Sequence, residues 1–99
     1  AYPGGSGYNA AKFGLRALTR AFRMEEVSNP IRITEIDPGR VATDFSLVRF
    51  KGDAAKADAV YADKLNLTAG DIAEAIRWVA SLPKHMNIDT MNIMPRDQA

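Results

Sequence analysis

The stretch IRITEIDPG, Ile31 to Gly39, indicates the class of fold to which this sequence belongs. In an extended chain Ile31 and Ile33 lie on one side and Ile36 on the other, a pattern typical of a strand covered on both faces. Pro38 and Gly39 then end the strand, because proline lacks the amide hydrogen that a sheet requires and glycine favours turns. The pattern predicts a strand from Ile31 to Asp37.

The residues before this strand predict a helix that runs toward Val27, with Ser6 as its N-cap. Apolar residues recur at helical spacing, and polar residues occupy the face predicted to meet solvent. The apolar residues are Ala11, Leu15, Leu18 and Phe22, and the polar ones are Arg16, Thr19, Arg20 and Arg23. The segment SNP, Ser28 to Pro30, breaks the helix before the strand begins.

The residues after the strand begin with a long segment, Arg40 to Asn66, here named the lid, which has no settled period. It contains one alanine-rich helical patch near Ala54 to Ala62, and segments of this length usually form lids or binding loops. Thr68 and Asp71 then form a capping-box pattern for a helix that stops at Pro83. An alternating run from Ile88 to Met94 predicts the last strand.

The predicted order is therefore helix, strand, lid, helix, strand, which is typical of an α/β fold with a parallel sheet. With 99 residues, of which 46% are hydrophobic, the chain is long enough for one modest domain. It begins at Ala1 within a loop-like segment, and we expect it to be part of a longer protein.

The charges exclude several classes of function. Thirteen basic and twelve acidic side chains are scattered along the chain and leave a net charge of +1, so no nucleic-acid surface or membrane patch is predicted. The chain has no cysteine, and its one histidine, His85, has no acidic neighbour at ligand spacing, so no metal site is predicted. No apolar run approaches the roughly 18 residues of a membrane span. These features favour a cytoplasmic protein with a small-molecule partner.

The stretch GYNAAKFG, Gly7 to Gly14, sets Tyr8 four residues ahead of Lys12 at the start of the first helix. Residues at this spacing share a helix face, with Cβ atoms about 5–6 Å apart. A phenol ordinarily has a pKa near 10, and a nearby cation stabilises the phenolate. The pair is therefore a candidate acid/base couple, although two polar residues on a solvated helix face would give the same pattern.

A second candidate site follows the first strand, in the segment IDPGRVATDF. Ligands of open α/β sheets bind at the carboxyl ends of strands, where the Pro38-Gly39 turn would let the backbone approach a flat ligand. Val41 and Thr43 would then offer an apolar and a polar contact. An ordinary strand-ending turn is the alternative interpretation.

Together, the Tyr8/Lys12 helix start, the turn from Pro38 to Thr43 and the lid resemble the carboxyl-terminal half of the short-chain dehydrogenase/reductase family, across nearly the whole chain. The resemblance implies part of a Rossmann-like doubly wound sheet. It also implies that residues 1–99 lack the amino-terminal half, which carries the glycine-rich dinucleotide-binding loop and the catalytic serine. The tyrosine of the family is the general acid/base for the carbinol or carbonyl, and the lysine supports it electrostatically and holds the nicotinamide ribose. By resemblance these roles fall to Tyr8 and Lys12, and the contacts with the nicotinamide to Pro38, Gly39, Val41 and Thr43.

The segments FSLVRFKGD, LPKHMNI and MNIMPRDQA resemble the subgroup of NADP-dependent 3-hydroxy acid and serine dehydrogenases. The resemblance implies NADP as the cofactor, with NAD possible, a small hydroxy acid or carbonyl compound as the substrate, and a homo-oligomeric full-length enzyme, a dimer or tetramer. Arg40, Arg49 and Lys51 are predicted to be exposed lid charges, and Arg49 is the candidate partner for a substrate carboxylate. A general carbonyl reductase and a non-catalytic relative that binds a nucleotide or promotes oligomerisation are the alternatives. The 99 residues alone are expected to be inactive.

Overall fold

The computed structural model describes residues 1–99 as four helices and two short strands. The elements are α1 (Ser6–Glu25), β1 (Glu35–Pro38), α2 (Phe45–Arg49), α3 (Ala54–Tyr61), α4 (Ala69–Ser81) and β2 (Thr90–Ile93). The strands pair with each other in parallel, since the Glu35 amide donates to the Asp89 carbonyl (3.0 Å) and the Gly39 amide donates to the Ile93 carbonyl (2.7 Å). The predicted α/β class and order of elements are confirmed, and the lid contains a further helix, α2.

The first strand is shorter than predicted, because residues 31–34 are not part of the ladder. The side chain of Asn87 takes the place of a strand partner at Ile33. Its Oδ1 accepts from the Ile33 amide (2.9 Å) and its Nδ2 donates to the Ile33 carbonyl (3.0 Å). Backbone groups that a longer strand would pair with another strand are thus satisfied by one amide side chain. The last strand is likewise limited to Thr90–Ile93.

The start of α1 differs from the prediction. Ser6 is already helical, the N-cap is Gly5, and no side chain caps the helix. The ring of Tyr2 lies where a side chain at position 5 would stand, since a Cβ added to Gly5 would fall 2.3 Å from the Tyr2 Cε2 atom. The chain therefore enters the helix one residue earlier, at a glycine that the ring covers.

Three of the four residues predicted to form the solvent face of α1 are half-buried: Arg16, Thr19 and Arg23. Arg16 pairs with Glu35 at 2.8 Å, and Arg23 pairs with Asp89 at 3.3 Å. The apolar stripe of α1 is instead exposed, with 51% of Leu15, 65% of Leu18 and 45% of Phe22 accessible. The predicted solvent face was therefore wrong where the ion pairs lie and right at Arg20, which is exposed, while no residue of α1 is buried.

The predicted capping box of α4 is confirmed. The Asp71 amide donates to the Thr68 Oγ1 atom (3.1 Å), and the Thr68 amide donates to Asp71 Oδ2 (2.8 Å). Hydrogen bonds from Thr68 hold the pKa of Asp71 below its ordinary value, the bond from the backbone amide more than the one from the hydroxyl group. The helix ends at Ser81, two residues ahead of Pro83.

The chain divides into two compact units. The first consists of Ala1–Glu35 and Pro83–Thr90, and the second of Ile36–Leu82 and Met91–Ala99. In the second unit α2 packs against α3, where Ala57 and Ser46 are buried. Ala57 is the one hydrophobic residue that is fully part of a core. No helix combines the length and the apolar character that crossing a bilayer requires.

Candidate functional site

Tyr8 and Lys12 lie together on one face of α1, within its first two turns. The Lys12 ammonium is 5.6 Å from the centroid of the Tyr8 ring, a distance at which a cation and an aromatic ring attract each other. Tyr8 is 44% exposed. The two side chains therefore lie close together on an exposed part of the helix.

The chain segment before α1 positions the ring of Tyr8. Tyr2 lies beside it, with ring centroids 6.2 Å apart and a tilt of 41°. Asn9 fixes this segment, because its Nδ2 atom donates to the Tyr2 carbonyl (3.1 Å) while its amide donates to the Gly5 carbonyl (2.8 Å). The hydrogen bond of the Asn9 side chain and the packing of the Tyr2 ring over Gly5 therefore fix the segment that lies beside the Tyr8 ring.

The predicted turn residues Pro38, Gly39, Val41 and Thr43 all belong to the second unit. Val41 forms an isolated parallel bridge with Leu67, at the far end of the lid. The Ala42 amide donates to the Leu67 carbonyl (2.8 Å), and the Leu67 amide donates to the Arg40 carbonyl (3.0 Å). Backbone hydrogen bonds therefore join the start of the lid to Leu67, the residue that follows the lid, next to the predicted site.

Thr43 lies two residues before α2, and its Oγ1 atom accepts from the amide of Phe45, the first residue of that helix (3.3 Å). Tyr61, at the end of α3, reaches the same place and was not predicted from the sequence. Hydrogen bonds from the Ser46 hydroxyl and from Thr43 lower the pKa of the Tyr61 phenol, although burial opposes them. Ser46 is the buried polar side chain of this unit. The available sequence signal was that Tyr61 is the one aromatic residue of an otherwise alanine-rich helix.

Two of the predicted lid charges differ in their surroundings. Arg49 is exposed at the last residue of α2, and its guanidinium carbon is 5.9 Å from the centroid of the Phe50 ring. Arg40 is not the exposed charge that was predicted, because only 13% of its side chain is accessible. Its bonds to distant segments of the second unit explain this burial.

A separate cleft of about 390 Å³ lies in the first unit, between α1 and the start of the two strands. It is lined by Thr19, Arg20, Arg23, Met24, Ile33, Glu35, Asp89 and Thr90. None of the residues predicted from the sequence to bind a ligand is among them. The structure brings together no group of three or more His, Cys, Asp or Glu side chains that could hold a metal ion.

A family model described as short chain dehydrogenase matches residues 1–53, just over half of the chain. The chain belongs to the short-chain dehydrogenase family. The matched part contains the Tyr8/Lys12 pair, the turn from Pro38 to Thr43 and Arg49. The family predicted from these motifs is therefore confirmed.

Relatives within this family support the predicted subgroup as well. An uncharacterized oxidoreductase of Mycobacterium tuberculosis is 55% identical over 98 residues, which are 99% of this chain and 39% of that protein. The NADP-dependent 3-hydroxy acid dehydrogenase YdfG of Escherichia coli is 42% identical, over 99% of this chain and 40% of the relative. A solved structure of the closed form of serine dehydrogenase complexed with NADP⁺ superimposes with a TM-score of 0.95 at 42% identity, over 99% of this chain and 40% of that one. The chain thus spans about two fifths of the length of these relatives.

Proposed function

We propose that the chain is the carboxyl-terminal half of an NADP-dependent oxidoreductase that acts on a small 3-hydroxy acid such as serine. The observation that carries this proposal is the Tyr8/Lys12 pair, with the ammonium 5.6 Å from the phenol ring on an exposed helix face. The similarity to proteins named 3-hydroxy acid dehydrogenase and serine dehydrogenase supports the substrate class and the choice of NADP over NAD.

The residues present fit a nicotinamide cofactor in their chemistry. Lys12 is exposed and contacts the Tyr8 ring, so its ammonium hydrogens are available to the hydroxyl groups of a ribose. In the second unit, the exposed Thr43 offers a hydroxyl group and the half-buried Val41 an apolar surface, which suit a flat ring that carries an amide. Pro38 and Gly39 complete the proposed set of contacts.

The bound cofactor supplies the hydride acceptor or donor for the carbinol carbon of the substrate. The Tyr8 side chain handles the proton of the reacting oxygen: its phenolate form accepts the proton during oxidation, and its hydroxyl form donates the proton during reduction. The Lys12 ammonium stabilises the negative charge that develops on the Tyr8 oxygen as the proton moves. Arg49 is the proposed partner of the substrate carboxylate, because it is an exposed residue at the end of α2 and a guanidinium matches the geometry of a carboxylate.

The exposed apolar surface of this chain supports two further parts of the proposal. Phe13 and Leu18 on α1 are 61% and 65% exposed, and Trp78 on α4 is 46% exposed. Large apolar side chains that are exposed to this extent are normally covered by other parts of a domain or by a second subunit. We propose that the missing half of the domain and a homo-oligomeric interface cover them in the full-length enzyme.

The test is Tyr8→Phe in the full-length protein. Tyr2→Phe is the matched control, because Tyr2 lies just before α1 and its ring centroid is 6.2 Å from that of Tyr8. Tyr8→Phe should lower kcat for serine or 3-hydroxybutyrate by about 10²- to 10⁴-fold, the usual contribution of acid/base catalysis, while the Kd for NADPH changes little. Tyr2→Phe should leave kcat nearly unchanged. Near-normal turnover by the Tyr8→Phe enzyme would contradict the proposal.

A further inference from the structure

Arg40 directly follows Gly39 in the proposed cofactor-binding turn, and it joins three segments of the second unit. Its Nε atom donates to Asn66 Oδ1 (2.8 Å), and its Nη2 atom donates to the Leu65 carbonyl (2.8 Å) and to Asp97 Oδ1 (2.6 Å). Its backbone amide donates to Gln98 Oε1 (2.7 Å). A planar guanidinium makes these three bonds from two of its nitrogen atoms, whereas the ammonium of a lysine holds its three donors on a single atom.

Asp97 completes this network from the C-terminal segment, residues 94–98. While one carboxylate oxygen accepts from Arg40, the other accepts from the Leu65 amide (2.9 Å). Leu65 therefore has its amide bonded to Asp97 and its carbonyl bonded to Arg40. The Arg40 side chain is 13% accessible and the Asp97 side chain 35%, so the arginine is the shielded member of the pair and Asp97 meets it from the more exposed side.

The C-terminal segment also packs directly against the glycine of the turn. A Cβ atom added to Gly39 would lie 2.7 Å from Gln98 Oε1, 2.8 Å from Pro95 Cδ and 2.9 Å from Met94 Sδ. Pro95 is itself buried. The turn is thus held by the C-terminal segment on one side and, through the backbone bonds of Leu67, by the end of the lid.

We infer that Arg40 is a positioning residue, which couples the cofactor-binding turn to the C-terminal segment and to the end of the lid. The inference rests on the proposed function, since it assigns the turn to NADP. If the three segments are ordered together, cofactor binding and the order of the C-terminal segment must favour each other by the same factor. Arg40 and Asp97 act on the cofactor only through the turn that they hold.

The experiment compares Arg40→Lys and Asp97→Asn with wild type in the full-length protein. Asp58→Asn is the control for Asp97→Asn, because it removes the same charge from the exposed surface of α3, outside the network. Hydrogen exchange without cofactor reports on the amides of Ala42 and Leu67, whose bonds are to backbone carbonyls and are not altered directly by either substitution. NADPH titration gives the Kd.

Both network variants should exchange these two amides at least tenfold faster than wild type and bind NADPH about tenfold more weakly, whereas the control should do neither. In wild type, NADPH should also slow exchange at Leu65, as reciprocity requires. Unchanged exchange at Ala42 and Leu67 in both variants would overturn the coupling. If the wild type and both variants bind NADPH with the same Kd, the positioning role of Arg40 is overturned. If the wild type binds no NADPH, the proposed function is contradicted, and the exchange rates alone decide whether the segments are coupled.

Discussion

Two explanations can account for a glycine at position 39: a ligand approaches the backbone closely there, or neighbouring parts of the protein leave no room for a side chain. The sequence explains it by the close approach of a cofactor, whereas the structure places three atoms of the C-terminal segment within 3 Å of an added Cβ. The glycines with positive φ are Gly4 and Gly52, so alanine at position 39 has no left-handed strain to overcome. The effect of Gly39→Ala on the folded protein is therefore steric.

The size of that effect follows from which neighbours can move. The Gln98 amide and the Met94 thioether end flexible side chains, but Pro95 Cδ belongs to a rigid, buried ring. Overpacking of this kind costs about 1–3 kcal/mol. Displacing Gln98 also breaks its bond to the Arg40 amide, which adds about 0.5–1.5 kcal/mol. We expect a loss of about 1.5–4.5 kcal/mol, or about 3–18 °C in Tm for a domain of 150–250 residues.

The assay is urea and thermal denaturation of the full-length protein without cofactor, for Gly39→Ala, Gln98→Gly and the double variant. The cost of Gly39→Ala should fall by about 1 kcal/mol in the Gln98→Gly background, because one clash and one hydrogen bond are already absent. Gly14→Ala is the control, since an added Cβ there meets nothing within 4 Å, and it should be neutral or stabilising. Wild-type stability of Gly39→Ala, combined with weaker NADPH binding, would refute the structural explanation and leave only the ligand explanation.

The capping box of α4 should contribute about 1 kcal/mol, measured as the loss of stability in Thr68→Ala but not in Thr68→Ser by urea denaturation. Because folding lowers the pKa of Asp71, the ionised carboxylate stabilises the folded state above pH 3.8, its ordinary pKa, and this stabilisation is lost as the pH falls through the lower pKa of the folded state. The difference in the free energy of unfolding between wild type and Asp71→Asn should therefore shrink from pH 7 to pH 3. If Arg49 binds the substrate carboxylate, Arg49→Ala should raise KM for hydroxy acids about ten- to hundredfold more than KM for neutral alcohols, whereas Lys51→Ala should not; equal effects on both substrates would favour a general carbonyl reductase. The isolated 99-residue chain should associate through the apolar stripe of α1 and show no NADPH binding; a monomer with a cooperative thermal transition and micromolar affinity would contradict this expectation.

The sequence by itself determined the features that depend on neighbouring residues. Helical spacing placed Tyr8 and Lys12 on one face of α1, and the pattern of Thr68 and Asp71 predicted both bonds of the capping box. The alternation of helices and strands gave the α/β class, and the motifs indicated the family. Helix periodicity and capping act over three or four residues, so a single sequence carries them in full.

Only the tertiary structure decided which partners the polar residues found. The sequence predicts that Arg40 is an exposed lid charge, yet its side chain forms hydrogen bonds with Asn66, 26 residues away, and with Asp97, 57 residues away. Asn87 replaces a strand partner for Ile33, which lies 54 residues earlier in the chain, and this shortens the predicted strand. Spacing between residues so far apart carries no periodic signal, because the fold alone brings them together. Their burial and their bonds, which make Arg40 a positioning residue and not a solvated charge, therefore emerge with the tertiary structure.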